Sequence, residues 1–268
     1  MTTRILHVSD LHFGREQPAL VAALERQSRD LAPDLVVASG DLTQRALRSE
    51  LAAAAAFLGR LRAPVLAVPG NHDLPGVTPK RFVDPWRRWR TYFPAGLEPV
   101  FEERGCLVIG ANSARTWGAH PDWSRGRLSR QQIERIAARI QRSAATSGQR
   151  PLCVLAVHHP LLLTAAGSHR GLLGGGKQAL MQLSRAGLDL VLGGHVHLGY
   201  AGTAGGMVVA HSATTVSDRL VDEMNGFNLI IGDAKALRIQ DWRWAAPAFR
   251  KLTEASFVQT GVGWERTA

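Results

Sequence analysis

An α/β layered fold with two packed sheets is what this sequence predicts, and three observations carry that expectation. Continuous apolar runs alternate with amphipathic stretches through the first half of the chain, the pattern of strands interleaved with helices. The C-terminal third switches to short apolar segments parted by Gly and Asp turns, a β-rich pattern. Polar motifs recur from Asp10 to His197, most of them directly after an apolar run, so both halves must converge on one place. No Pro/Ser-rich linker or composition break divides the chain. Residues 1–268 are therefore expected as one domain, with a core over about 4–242 and a tail at 243–268.

Taken in order, strands are expected at 5–8, 35–39, 65–68, 107–110, 152–157 and 188–192. Most of these runs are too continuously apolar for half-exposed edges and fit strands covered on both faces. Between them, helical periodicity predicts helices over 17–31, 46–61, 129–145 and 177–186. Ser129, followed three residues later by Gln132, has the form of a capping box at the third helix. The β-rich segment supplies strands at 207–211, 227–231 and 237–242. Cys106 and Cys153 sit inside apolar runs and read as small buried hydrophobes, with no disulfide framework.

Bulk properties exclude several classes. A chain of 268 residues with 45% apolar content can bury a substantial core and is not disordered or fibrous. No apolar run approaches the ~20 residues that cross a bilayer. The N-terminus enters a strand pattern at once, without the apolar stretch of a signal peptide, so a cytoplasmic location is the expectation. The net charge of +10 suits an anionic partner, but the excess is mostly arginine spread along the chain and selects none.

The chemistry lies in five motifs: Asp10-Leu11-His12, Gly40-Asp41, Gly70-Asn71-His72-Asp73, His158-His159 and Gly193-Gly194-His195-Val196-His197. Residues i and i+2 at a strand end reach the same side, so Asp10 with His12, and His195 with His197, can each grip an ion. Gly40 allows a sharp turn after its strand, and the Asp41 carboxylate has lone pairs enough to bridge two cations. Asn71 offers a neutral amide oxygen. Each fragment alone is commonplace; the ordered set of oxygen and imidazole donors at strand ends is what two adjacent divalent cations require.

On these motifs the sequence resembles the calcineurin-like metallophosphoesterase superfamily over roughly residues 4–240. The resemblance implies a four-layer α/β/β/α sandwich of two mixed sheets flanked by helices. It implies one ion on Asp10, His12, Asp41 and His197, and a second on Asp41, Asn71, His158 and His195, with Asp41 bridging. His158 is preferred to His159 because the family places its ligand two residues before a proline, here Pro160. His72 matches the family's catalytic histidine beside the leaving oxygen, and Asp73 is expected to orient it or to cap the following turn. The implied reaction is attack on phosphorus by a hydroxide bridging two metal ions ~3.5–4 Å apart. Donors without cysteine accommodate Mn, Fe or Zn.

The opening run from Ile5 to Gly14, Gly126-Arg127-Leu128-Ser129, and Ser212-Ala213-Thr214 resemble the cyclic-nucleotide phosphodiesterase branch. A small phosphorylated substrate is thus the expected partner. The alternatives are a UDP-diacylglucosamine-type pyrophosphatase at an anionic membrane surface, a DNA nuclease, or a non-catalytic scaffold like the retromer subunit. The intact motifs and His72 argue against the scaffold, and the missing long extra domains argue against the nuclease. Oligomeric state leaves no mark in the sequence.

Two further stretches bear on substrate. Gly171-Leu172-Leu173-Gly174-Gly175-Gly176-Lys177 imitates a phosphate-binding loop but has Gln178 where the magnesium-binding hydroxyl belongs. It is expected as a loop leading into a helix, and His169 and Arg170 beside it are expected substrate contacts. Residues 81–93 place Phe82, Trp86, Trp89 and Phe93 at helical spacing among arginines. That reads as a helix with its aromatic face on the core and its arginines solvated, or as a basic-aromatic contact for lipid or nucleotide.

Overall fold

A computed structural model describes residues 2–117, 125–146, 150–161, 173–221 and 224–268. Two mixed sheets lie face to face with helices on both outer surfaces, giving the α/β/β/α sandwich.

The first sheet is built around β1 (Thr3–Val8), which runs parallel to β2 (Leu35–Ser39) on one side and antiparallel to β10 (Gly226–Gly232) on the other. β3 (Val65–Val68) closes the edge beside β2. Beyond β10 come β11 (Ala236–Ala245), β12 (Ala248–Thr260) and β13 (Gly263–Arg266), each antiparallel to the last. The segment expected as a tail is therefore the end of β11 and the two outer strands of this sheet. The second sheet runs β4 (Val100–Glu103), β5 (Cys106–Ala111), β6 (Leu152–Val157), β7 (Leu190–Gly193), β9 (Met207–His211) and β8 (Tyr200–Ala204). β5, β6, β7 and β9 are parallel, so their C-terminal ends fall on one side.

Alternation along each strand divides its side chains between layers. Ile5, Leu35, Val37, Val154, Leu190, Val208 and Ile230 fill the space between the sheets. Leu6, Val8, Val36 and Leu229 face outward onto α1 (Pro18–Leu31) and α2 (Arg48–Gly59). On the far surface Leu107, Leu155, Val157 and Val191 meet α5 (Arg130–Thr146) and α6 (Gly176–Ala186). The capping box forms as expected: Ser129 Oγ accepts from Gln132 N at 3.2 Å and Gln132 Oε1 accepts from Ser129 N at 2.9 Å. Cys106 and Cys153 are buried free thiols. No helix among the described residues is long and apolar enough to cross a membrane.

The 81–93 stretch is not one helix. It breaks into α3 (Pro79–Val83) and α4 (Arg87–Tyr92), because Pro85 has no N–H and restricts Asp84 before it. The break swings the aromatic residues apart: Trp86 and Trp89 enter the outer core, while Phe82 and Val83 remain 52% and 85% exposed. Two arginines here are anchors for loops. Arg81 donates to the carbonyls of Pro75, Arg115 and Thr116 at 2.7–3.0 Å, and Arg88 to that of Ala46 at 2.8 Å.

Candidate metal centre

The loops leaving β1, β2, β6 and β7 meet at one end of the sandwich and bring together Asp10, His12, Asp41, His158, His195 and His197. The loops after β1 and β2 run side by side, with Asp10 N on Gly40 O at 3.1 Å and His12 N on Asp41 O at 3.0 Å. This pairing supports an unusual backbone. Asp10, His12, Asp41, His195 and His197 all have φ between 44° and 71°, the left-handed region. Asp and His enter that region more readily than most residues, and strained conformations held by surrounding bonds gather at functional sites. Two glycines are needed for close approach: Gly40, at φ 89°, lies against the His158 ring, and a Cβ on Gly194 would strike Ser9 and Asp10.

Donor atoms of Asp10, His12 and His197 lie within 4.8 Å of one another, as do those of Asp10, Asp41 and His158. Asp10 is common to both groups, and Asp41 Oδ2 faces a histidine of each, 3.3 Å from His158 Nε2 and 3.9 Å from His12 Nε2. His197 Nε2 is 3.3 Å from Asp10 Oδ1. His195 joins from the far side, its ring 5.2 Å from that of His158 and its N–H donating to Asp10 Oδ2 at 3.0 Å. Asn71 occupies the turn after β3, and its buried Oδ1 has no hydrogen-bond donor. Asp10 Oδ1 and both His12 nitrogens are likewise buried without one. Buried polar atoms left unsatisfied are costly. Orphaned oxygens and imidazole nitrogens aimed at one another fit divalent cations as their missing partner.

Two imidazoles are oriented by main-chain carbonyls. His158 Nδ1 donates to Ser39 O at 2.9 Å and His197 Nδ1 to Arg219 O at 2.8 Å, turning both Nε2 atoms inward. His159 bonds through Nδ1 to Ser113 Oγ at 2.7 Å, yet its donor atom also lies within 4.8 Å of those of His158 and His195. Both members of the pair thus border the centre.

Charge is finely divided here. Burial favours a neutral Asp41, but His158 beside it, with His72 and His12, holds its carboxyl well below the usual range. Burial would lower His158, yet Asp41 and then Asp10 lift it to about 9. His12 is pushed down to about 4, burial outweighing its two carboxylates.

His72 lies on the rim, its ring edge-on to that of His12 at 4.9 Å. The expectation that Asp73 orients it is not met. The Asp73 carboxylate instead accepts from the backbone of Gly70, Leu42 and Thr43 and from Thr43 Oγ1, tying the β2 loop to the β3 loop. Burial, with Asp41 adding, raises its pKa to about 6. His72 is held by Gln44 O, 2.9 Å from Nδ1, and by Arg219, whose NH1 is 2.9 Å from Nε2. Sequence reasoning passed over Arg219; its one available signal was its place shortly after Ser212-Ala213-Thr214. His169 and Arg170 lie outside the described residues.

Comparison with known proteins agrees with this geometry. A family model described as calcineurin-like phosphoesterase matches residues 3–199. A probable cyclic nucleotide phosphodiesterase of Synechococcus sp. is 26% identical over 208 residues, covering 74% of each chain. Among solved structures, a dimetal phosphatase from Danio rerio superposes with a TM-score of 0.70 at 11% identity, over 96% of this chain and 99% of the other. The purple acid phosphatase PPD1 of yellow lupin seeds gives 0.69 at 15% identity over 96% of this chain, which spans 53% of that larger protein. At such identities the two structures speak for the fold alone.

Proposed function

The chain belongs to the calcineurin-like phosphoesterase family, whose members are metal-dependent phosphoester hydrolases, and we propose that it cleaves a small phosphodiester such as a cyclic nucleotide. The observation that carries this reading is the pair of buried donor groups that share Asp10, with Asp41 facing a histidine of each. The Synechococcus relative's name, a probable cyclic nucleotide phosphodiesterase, supports the diester class.

In this reading Asp10, His12, Asp41 and His197 hold one divalent cation, and Asp41, Asn71, His158 and His195 the other; the donors suit Mn, Fe or Zn. Such a pair supplies Lewis acidity to the phosphoryl oxygens and a water of lowered pKa as nucleophile. The residues of the chain do the rest. Main-chain carbonyls fix the imidazole tautomers, and the left-handed loops hold the carboxylates in place without reorganisation. In this reading His72 meets the leaving oxygen through Nε2, since Nδ1 is committed to Gln44 O.

The test is a substrate panel at fixed Mn²⁺, with bis-p-nitrophenyl phosphate, cyclic nucleotides, UDP-diacylglucosamine and single-stranded DNA. Diester cleavage that falls sharply in His72→Ala is expected; inactivity on every phosphoester would revive the non-catalytic scaffold. One observation favours a second reading, a lipid-linked pyrophosphate at an anionic membrane surface. Phe82 and Val83, with Val77 at 74% exposure, project beside Arg87 just beyond the His72 turn. Preference for the lipid substrate, with activity rising on anionic vesicles, would select it.

A further inference from the structure

We infer that Arg219 is an anion anchor on the leaving-group side of the site, its guanidinium placed to take a phosphoryl oxygen of the substrate and, until then, to hold His72 in one tautomer. The inference rests on the phosphodiester reading above.

A guanidinium only donates hydrogen bonds. With NH1 at 2.9 Å, His72 Nε2 must present its lone pair, while Nδ1, facing the Gln44 carbonyl at 2.9 Å, carries the hydrogen. The second contact of NH1 is Gln44 Oε1 at 3.4 Å, also neutral. Arg219 is half-buried, and among the described residues no carboxylate lies within ion-pair distance of it. That sets it apart from Arg15 on Asp218, Arg60 on Glu25 and Arg150 on Asp189. This permanent charge is drawn partly out of water with only neutral hydrogen-bond partners, and Asp218 acts on it from beyond contact distance, so no anion touches it directly. A substrate phosphoryl group entering beside His72 supplies the missing anion, and a planar guanidinium matches its oxygens.

The main chain of the same residue explains why the side chain is aimed so firmly. Arg219 O accepts from His197 Nδ1 and from Thr214 Oγ1, both at 2.8 Å. The stretch 214–218 is bonded in turn along residues 9–16, through Thr215 to Ser9 and Asp218 to Arg15. The guanidinium thus projects from a fixed point one imidazole away from His12. Gln44 also borders a polar cavity of about 470 Å³ lined by Arg15, Glu16, Arg45, Glu50 and Asp218.

Because the carbonyl orients His197 and the side chain faces His72, the two roles separate in Arg219→Ala. Calorimetric Mn²⁺ affinity and thermal stability should stay near wild type. The KM for bis-p-nitrophenyl phosphate and the inhibition constant of inorganic phosphate should both rise roughly tenfold to a hundredfold, the worth of a charged hydrogen bond. Arg219→Lys should recover part of that loss. If the wild type cleaves the diester and Arg219→Ala leaves both constants unchanged, the anchor is refuted; parallel loss of Mn²⁺ binding refutes it too, by making Arg219 structural. If the wild type cleaves no diester, the functional reading fails, and phosphate binding to the Mn²⁺-loaded wild type and variant still decides the anchor.

Discussion

His7 and His158 are both fully buried, and both bond to Ser39, yet they end as opposite kinds of histidine. His7 Nε2 lies 2.8 Å from the Ser39 hydroxyl, and its Nδ1 accepts from Asn228 at 3.3 Å. Burial, with the charge of a protonated His211 adding, drives its pKa down to about 3. His158 uses the Ser39 carbonyl instead and turns its other nitrogen toward Asp41, which with Asp10 overcomes burial and carries it up to about 9. Burial by itself makes a neutral core histidine that ties β1 to its neighbours β2 and β10. A carboxylate on the inward nitrogen makes one that holds a charge it can exchange for a cation.

Asp41→Asn should break that contrast most severely. Removing the charge that faces both His12 and His158 is expected to cost at least about a thousandfold in diester hydrolysis and to lower bound Mn²⁺, read by steady-state rates and metal analysis. Unimpaired turnover would refute the site. His7→Phe should do the reverse. Ser39 Oγ and Asn228 lose their partner, for a cost of roughly 1–3 kcal/mol in urea unfolding, while activity per folded molecule stays within about twofold. Lost activity at full stability would instead place His7 in the catalytic centre.

Titration sharpens the same comparison. His7 at about 3 and His211 at about 4 lie below the ordinary 6.5, so the unfolded chain takes up protons first. Their contribution is complete above pH 6.5 and shrinks as pH falls toward 4. His158 is raised, so in metal-free protein its contribution is complete below 6.5 and is lost as pH rises through about 9. Urea midpoints of the metal-free protein should therefore peak between these limits, and His7→Phe should flatten the acid side. The smallest effect is stoichiometric. His158 carries a proton at pH 7 without metal, so Mn²⁺ binding should release about one proton, seen as buffer-dependent heat in calorimetry; heats independent of buffer would contradict it.

The strands that lie between layers were legible because both their faces are buried, which leaves unbroken apolar runs such as Leu152–Val157. β4, β8, β12 and β13 escaped notice for the opposite reason. They are edge or half-exposed strands whose outward residues are polar, as in Arg250, Lys251 and Glu254 of β12. Yet β13 matters to the assembly, since Trp264 Nε1 reaches across to Asp189 at 2.9 Å. The donor motifs were readable because residue type and strand-end position are both written in sequence. What holds the donors is not. The left-handed backbone at five of them, the carbonyls behind His158 and His197, and the pairing of Arg219 with His72 across 147 positions arise only when distant loops meet. Asp73, expected to orient His72 or to cap the following turn, bonds chiefly to the loop after β2 for the same reason.

β1 sits inside its sheet, with β2 on one side and β10 on the other. During synthesis, the edge of β1 that will take residues 226–232 stays open after β2 and β3 are already available. Asp10 and His12 hang from that strand, while His195 and His197 are made about 185 residues later. Loop closure over such separations is slow compared with local helix formation. The half-built sheet thus presents a bare edge for much of translation, and a centre that joins Asp10 to His195 and His197 can be completed only after the chain has passed residue 197.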